Sequence, residues 1–575
     1  MPETKTATDP LTDKSIDHEV RDTARSKPSK GGAKENEPAS GAPAAASSPT
    51  NELTYPGRFL SIVLNIALLL AMFLVALDMA IVATAIPTIT AEFHSVDQVG
   101  WYGSAFFMTL AAFQASWGKA YKYFPLKIVF LACIVIFEIG SLVVALAPSS
   151  LAVIIGRAVQ GAGGAGVTGG CYIIAAFITR PKHMAQTIGL FGTAWSCSSV
   201  LGPVLGGVFT QDLSWRWCFW VNLPIGGATM VIILLLFKTP AHSRLAHANW
   251  KEVSLHFDVG GVIFLLAALT CLLLALEMGG VTRPWSNSVP IGLLVGFVLI
   301  IITLVALEWK QGERSMVVFR IVKRRTVAAF CVFGFCVHSS SFARNYNLPI
   351  YFQAVQGVSP SESGIRTLPT VLAGSLFSFV GSVLVGKIGY WQPFFWIGSI
   401  FSVVGAGLIY TLDLHSTAAH YIGYQVVVSI GTGLTIQIPI IIAQAISSQL
   451  DMSVTVSIAL FFQFIGATIG VSVATNIMDN VIISSLPANN PNITAANVLE
   501  AGSSSLREYF PNPDDLNIVV NAYMDGLRAA WVWSIVLVGV GLLASFFAEW
   551  KSLRPEDVKK RLEAKKSVSE LPADA

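Results

Sequence analysis

The sequence predicts an all-α polytopic membrane protein: two six-helix halves with two helices inserted between them, 14 transmembrane helices in all. Three observations lead there. Of the 575 residues, 53% are hydrophobic and 12% charged, where a soluble chain carries about 25% charged residues; the mean hydropathy is +0.63. The apolar runs each reach the length of about 20 residues that crosses a bilayer as a helix. They also group as six, two and six, which reads as an internal repeat.

Residues 1–57 are polar, rich in Ser, Ala, Pro, Lys and Glu, with no apolar core. They are expected to form a disordered cytoplasmic tail without a cleavable signal peptide. The first half, 58–237, carries runs at 59–87, 97–118, 126–147, 151–178, 186–209 and 217–237. The region 238–325 holds cytoplasmic loops and the inserted runs 258–277 and 289–307. The second half, 326–550, carries runs at 327–355, 363–387, 392–412, 420–446, 453–480 and 527–549, with an outer loop at 481–526; a cytoplasmic tail, 551–575, follows. Gly118-Lys119-Ala120-Tyr121, closing the second run, is echoed by Gly386-Lys387-Ile388-Gly389-Tyr390, closing the tenth.

An even number of spans puts both termini on one side. With the termini inside, 30 of the 37 Lys and Arg residues fall in cytoplasmic segments. Arg157, Arg216, Arg283, Arg344, Arg366, Arg507 and Arg528 alone fall within spans or outside. That asymmetry follows the positive-inside rule. The sequon Asn492-Ile493-Thr494 then lies on the outer side, which glycosylation requires. The seven cysteines all fall in apolar runs and read as small buried thiols, not as a disulfide framework or metal site.

The stretch from Trp195 to Gly207 sets Gly202, Pro203, Gly206 and Gly207 within six positions of an apolar span. Proline removes a backbone donor and bends a helix, and glycines at i and i+4 let a neighbouring helix approach closely. The stretch resembles the antiporter signature of the major facilitator superfamily. Other segments resemble that superfamily's fourteen-span drug:proton antiporter family, in its fungal efflux-pump branch. They are Leu77-Asp78-Met79-Ala80-Ile81-Val82 through Ile86-Pro87, Arg157-Ala158-Val159-Gln160-Gly161, Trp215-Arg216-Trp217 through Asn222-Leu223-Pro224, and Leu348-Pro349-Ile350-Tyr351-Phe352-Gln353 with Ser363-Gly364. Together they run from residue 59 to about 550 in the family's order. The resemblance implies the major facilitator fold and a secondary active transporter, not an enzyme. It further implies proton-coupled export of small organic molecules by alternating access. In one respect the chain departs from the family. The loop from Gly118 to Lys127 holds three lysines and no acid, so the family's gating Asp has no counterpart there. Its lysines are left to meet helix C-termini or anionic lipid.

Ionisable groups inside a membrane are costly and mostly functional. Asp78 is about 13 Å deep from the outer end of its span and Arg157 about 9 Å, at 1.5 Å per residue. At similar depths, and with both spans lining the central cavity in the family fold, the two are expected to pair or to share a cavity. Burial disfavours a carboxylate's charged form and a guanidinium restores it, so a carboxylate alternately paired and exposed can load and release a proton. A static ion pair ordering the bundle is the competing account. Glu138, mid-span, is the third proton-coupling candidate, against a plain hydrogen bond to a neighbouring helix. Arg344 is expected to snorkel to the interface.

The cargo site is expected near the midplane between the halves. Phe107, Gln114, Gln160, Trp195, Tyr346, Gln437 and Gln463 are its candidates, because aromatic surface with few neutral polar anchors suits bulky, largely apolar molecules. No nucleotide-binding loop appears and no loop is long enough for such a domain, which leaves an ion gradient as the driving force. No cofactor, metal or nucleic acid is expected. The expected partners are a small-molecule substrate, protons and the bilayer, with the chain as a monomer in the plasma membrane; the vacuolar membrane is the alternative. An importer of the same fold, for siderophores or nutrients, is the alternative function.

Overall fold

The computed structural model describes residues 55–95, 98–239, 256–487 and 493–552. The terminal tails and Asn492 fall outside them, apart from the few tail residues inside those ranges. Fourteen long helices follow one another: α1 Arg58–Phe93, α2 Val99–Tyr123, α3 Leu126–Ala145, α4 Ser150–Ile178, α5 Pro181–Val208, α6 Trp217–Leu236, α7 Val259–Met278, α8 Ser288–Gln311, α9 Arg325–Ile350, α10 Pro360–Ile388, α11 Gln392–Tyr410, α12 Ala418–Ile446, α13 Met452–Ser485 and α14 Pro513–Phe546. Among the described residues the only β pairing is two isolated bridges.

Thirteen of these helices are long and apolar enough to cross a membrane. The exception is α2, diluted by Gln114, Ser116, Lys119 and Lys122. It packs against α4 and α13 inside the bundle, where polar side chains find cover. Helix ends follow local chemistry. Ser149 caps α4 through Ala152 N–H, and Ser359 caps α10 ahead of Pro360. Gly389 closes α10 at φ 78°, a left-handed position that suits glycine. Within α12 the helix breaks at Gln437, two residues before Pro439.

Two boundaries differ from expectation. Helix α1 continues through Pro87 to Phe93, and its buried Ile89 extends the packed face. Helix α14 starts at Pro513, not near 527, because Asn512 caps it, Asp514 and Asp515 fill its first turn, and Val519, Val520 and Tyr523 are buried. The stretch 481–526 is therefore largely helical, with short helices Ala495–Ala501 and Leu506–Tyr509 between α13 and α14.

Helices α1–α6 pack among themselves, chiefly as α3 on α4, α1 on α5 and α2 on α4. Helices α9–α14 do the same, as α9 on α13, α11 on α12 and α10 on α12. Two seams join the groups, α5 on α10 and α2 on α13. The inserted α8 packs on α7 and leaves Val295, Val298, Leu299, Ile302 and Val305 exposed, an apolar face suited to lipid.

The two ends of the bundle differ. At the end where α1 begins and α14 finishes, one apolar core draws on both groups, including Phe130, Ile173, Phe330, Ile441 and Val454. At the opposite end the cores are separate. One holds Ile81, Tyr102, Val144, Trp215 and Phe219, the other Tyr351, Phe352, Tyr421, Met478 and Trp531. The bundle is thus sealed at its terminal end and parted at the other.

Candidate functional site

Asp78 and Arg157 meet, and both are fully buried. Five helices build their surroundings. Arg157 Nη1 binds Asp78 Oδ2 and also donates to Gln160 Oε1 at 2.9 Å. Gln160 Nε2 donates to Asp78 Oδ1 at 3.0 Å and to Ser141 Oγ on α3 at 2.7 Å. Asn222 Nδ2 on α6 reaches the same two acceptors at 2.8 and 3.1 Å. Arg157 Nε donates to the carbonyl of Tyr102 on α2 at 3.1 Å, and the guanidinium lies 4.4 Å from the Phe106 ring centroid, a desolvated cation–π contact. Breaking such a buried pair by removing one partner costs about 3–5 kcal/mol.

The glycines of the α5 signature seat this cluster. A Cβ on Gly202 would lie 2.5 Å from Ala80 Cβ, and one on Gly206 would lie 2.2 Å from Thr84 Oγ1 and 2.8 Å from the Ile81 carbonyl. Both therefore let α5 press on α1 just beyond Asp78. Pro203 is exposed, and a Cβ on Gly207 would meet nothing within 4 Å. Further along α5, a Cβ on Gly192 would lie 2.3 Å from Ser378 Oγ and 2.6 Å from Gln437 Nε2. One helix thus touches the Asp78 segment at one end and the other helix group at its other end.

Glu138 stands apart from the cluster. It faces Gly226 of α6, where any Cβ would collide with its carboxylate, and both its oxygens lack a hydrogen-bond partner. Of the expected cargo residues, Gln160 is tied into the Asp78 cluster. Gln114 is fully buried beside Gly169 with neither amide atom bonded. Gln437 Oε1 accepts from Tyr172 Oη at 3.2 Å across the halves, and Gln463 Nε2 donates to the Ile436 carbonyl at 3.5 Å. Trp195 meets Phe464 in a tilted contact at 6.1 Å and Phe107 meets Phe342 edge to face at 6.0 Å, both across the halves. Tyr346 is 53% exposed. Two expectations fail. Arg344 is buried on α9 and does not snorkel, because its side chain turns into the helix group while Asn345 and Tyr346 take the exposed face. Cys197 is exposed and Cys271 half-buried, because α5 and α7 each present a face outside their bundle packing.

The sealed end carries its own charges. Lys122 Nζ on α2 pairs with Asp451 Oδ1 at the start of α13 at 3.3 Å, and Arg320 binds both Asp451 oxygens at 3.2 Å. The acid missing from the α2–α3 loop is thus supplied by the other half. Burial pushes the Asp451 carboxyl up, but the Arg320 hydrogen bonds and the Lys122 charge outweigh it and hold it below the usual carboxylate range. Lys119 Nζ donates to the Arg314 carbonyl at 2.7 Å, and Lys127 Nζ to the Leu234 carbonyl at the C-terminus of α6 at 2.6 Å.

Ser141 carried no signal in the sequence, and Asn222 lay in a segment that resembles the family without a role that ties it to Asp78. A neutral Ser or Asn in an apolar helix is common, and only the fold brings these two to Asp78.

Comparisons with known proteins agree with this architecture. The profile of the family described as Major Facilitator Superfamily matches residues 68–471. The chain is 43% identical to the MFS-type transporter thnB of Trichoderma harzianum, over 88% of this chain and 87% of that one. It is 39% identical to the MFS-type efflux pump MFS1 of Trichophyton rubrum, over 85% and 91%. It is 38% identical to the dehydrocurvularin exporter of Aspergillus terreus, over 87% and 88%. Among solved structures, the fold is similar to that of the proton:xylose symporter XylE, with TM-score 0.58 and 13% identity over 88% of this chain and 99% of that one. It is also similar to the human organic anion transporter MFSD10, with TM-score 0.56 and 14% identity over 85% and 99%.

Proposed function

The chain belongs to the major facilitator superfamily and is a transporter; from that premise we propose that it is a proton-coupled efflux pump for small, largely apolar organic molecules. The relatives named as an efflux pump and an exporter support the direction. The observation that carries the coupling is the buried Asp78–Arg157 pair, held by Gln160, Asn222 and Ser141 and seated on the Gly202–Gly206 face of α5.

In this reading the sealed terminal end is cytoplasmic, as the placement of the basic residues requires, and the structure is an outward-facing state of a plasma-membrane protein. A proton arriving at Asp78 neutralises it, and Arg157 loses its anion. Helix α1 then shifts on its glycine seat, and α5 transmits the shift to its contacts with Ser378 and Gln437. Opening the cytoplasmic end also breaks the Lys122–Asp451 pair and admits cargo to a midplane site lined by Phe107, Trp195, Tyr346 and Gln463. Glu138, outside the Asp78 hydrogen-bond cluster, is a second proton acceptor in the same half. The chain acts as a monomer.

Accumulation of a lipophilic fluorescent dye tests direction. Cells expressing the protein retain less dye than cells lacking it, and a protonophore removes the difference. Higher retention in expressing cells replaces export by import.

A further inference from the structure

Arg344 is 2% exposed, yet no carboxylate or other protein group among the described residues pairs with it, and its Nε and Nη1 are buried without a partner. It stands one position short of the place in α9 that Asp78 holds in α1, counted from Arg325 and Arg58. Where α1 buries an acid with a matching base, α9 at nearly the same position buries a base that has no acid bonded to it.

Its neighbours are also unpaired. Ser340, Arg344 and Asn347, spaced i, i+4, i+7, share one face of α9. Ser340 Oγ and both amide atoms of Asn347 have no partner. That face meets α14, where Ser534 Oγ donates to the Ser340 carbonyl at 3.4 Å. The two helices run in opposite directions, so Trp531 stands toward the open end from Ser534 as Arg344 does from Ser340. Trp531 is 1% exposed and its Nε1 is also unpartnered. The α9–α14 seam therefore gathers a cation and neutral donors, and Asp479 of α13, which faces Tyr346 and Tyr523 farther along it, forms no ion pair with Arg344. A buried cation without a counter-charge is strongly unfavourable.

We propose that this seam binds a monovalent anion on Arg344, with Asn347 Nδ2 and Trp531 Nε1 as further donors. Two sources share that chemistry: chloride from the medium, and an ionised carboxyl or phenol of a transported molecule. The second source rests on the efflux reading; the first does not.

The test is thermal unfolding of the purified full-length protein in detergent, in chloride and in gluconate, and in gluconate with either pyrenebutyrate or its neutral methyl ester. An anion that binds only the folded state raises Tm, for a chain of this size by about 2 °C at roughly a hundred times its Kd. Wild type is expected to gain that shift with chloride or with pyrenebutyrate and not with the ester. Arg344→Gln is expected to lose the shift and, in gluconate, to be at least as stable as wild type, because it removes an unpaired charge. Arg344→Lys is expected to keep a reduced shift, since the charge stays and the fork geometry goes. A shift with chloride alone identifies chloride, and a shift with pyrenebutyrate alone identifies the cargo carboxylate. Equal Tm for wild type in all four solutions, or equal shifts in wild type and Arg344→Gln, overturns the proposal. This readout needs no transport, so loss of dye efflux with an intact anion shift refutes the efflux reading and leaves the site standing.

Discussion

Asp78 receives three hydrogen bonds on two oxygens, from Arg157, Gln160 and Asn222. Asp78→Asn preserves size and removes the charge. It is expected to reach the membrane and to lose proton-driven efflux, measured as dye retention equal to that of cells lacking the protein. Arg157→Lys keeps the charge but cannot serve Asp78, Gln160 and the Tyr102 carbonyl from one planar fork, so reduced efflux at normal expression is the expected result. A folded, fully active Arg157→Ala would remove the pair from the mechanism. Asp78 and Arg157 were legible in the sequence because a charge inside an apolar run is conspicuous. Gln160 was legible as polar and Asn222 as part of a family-like segment, neither as a ligand of Asp78, and Ser141 was not legible. The buried Arg344 was misread because sequence depth does not tell which way a helix face turns.

At the scale of the helix, α5 gives the sharpest contrast. Gly206→Val places its branch against Thr84 Oγ1 and the Ile81 carbonyl of α1, where backbone cannot yield. Overpacking of this kind costs about 1–3 kcal/mol, and efflux is expected to fall to background. Gly207→Ala, one residue on, meets nothing within 4 Å and is expected to leave efflux unchanged. Dye efflux normalised to surface expression separates the two, and equal behaviour would contradict a packing role for the signature. Helix number and order were legible because each apolar run is long. The start of α14 was not, because its first turns are polar and owe their helicity to the Asn512 cap and to buried Val519 and Tyr523. The helix α2 was legible despite its polarity, which has its physical reason in burial between α4 and α13.

Across the whole molecule, sealing at one end is the feature that the sequence could not show, since it depends on contacts between distant helices. Ala185 of α5 and Gly386 of α10 face each other there, with a Cβ on Gly386 3.1 Å from Ala185 Cβ. In a Cys197→Ser background, which removes the exposed thiol, Ala185→Cys with Gly386→Cys is expected to cross-link under mild oxidation and to stop efflux until reduced, since the two β-carbons need to part by only a few tenths of an ångström to reach the roughly 3.5–4.5 Å of a disulfide. Seal and pH are linked through Asp451. Its carboxyl lies below the usual range, so its contribution is complete above the ordinary carboxylate value and is lost only as pH falls through the lower, folded-state value. The Lys122–Asp451 and Arg320–Asp451 pairs are therefore expected to stay intact from roughly pH 5 to 8. A spin-label distance between Ala185→Cys and Gly386→Cys that lengthens within that range would assign pH control of the seal to a group other than Asp451, as the proposed protonation of Asp78 requires.

The most direct test of proton coupling through Asp78 is dye transport by purified protein in liposomes under an imposed pH gradient. Wild type is expected to move dye against its concentration gradient only while the pH gradient lasts, and opposite to proton flow. Asp78→Asn is expected to give no gradient-driven movement at equal protein content. Gradient-driven transport by Asp78→Asn at the wild-type rate would contradict the account.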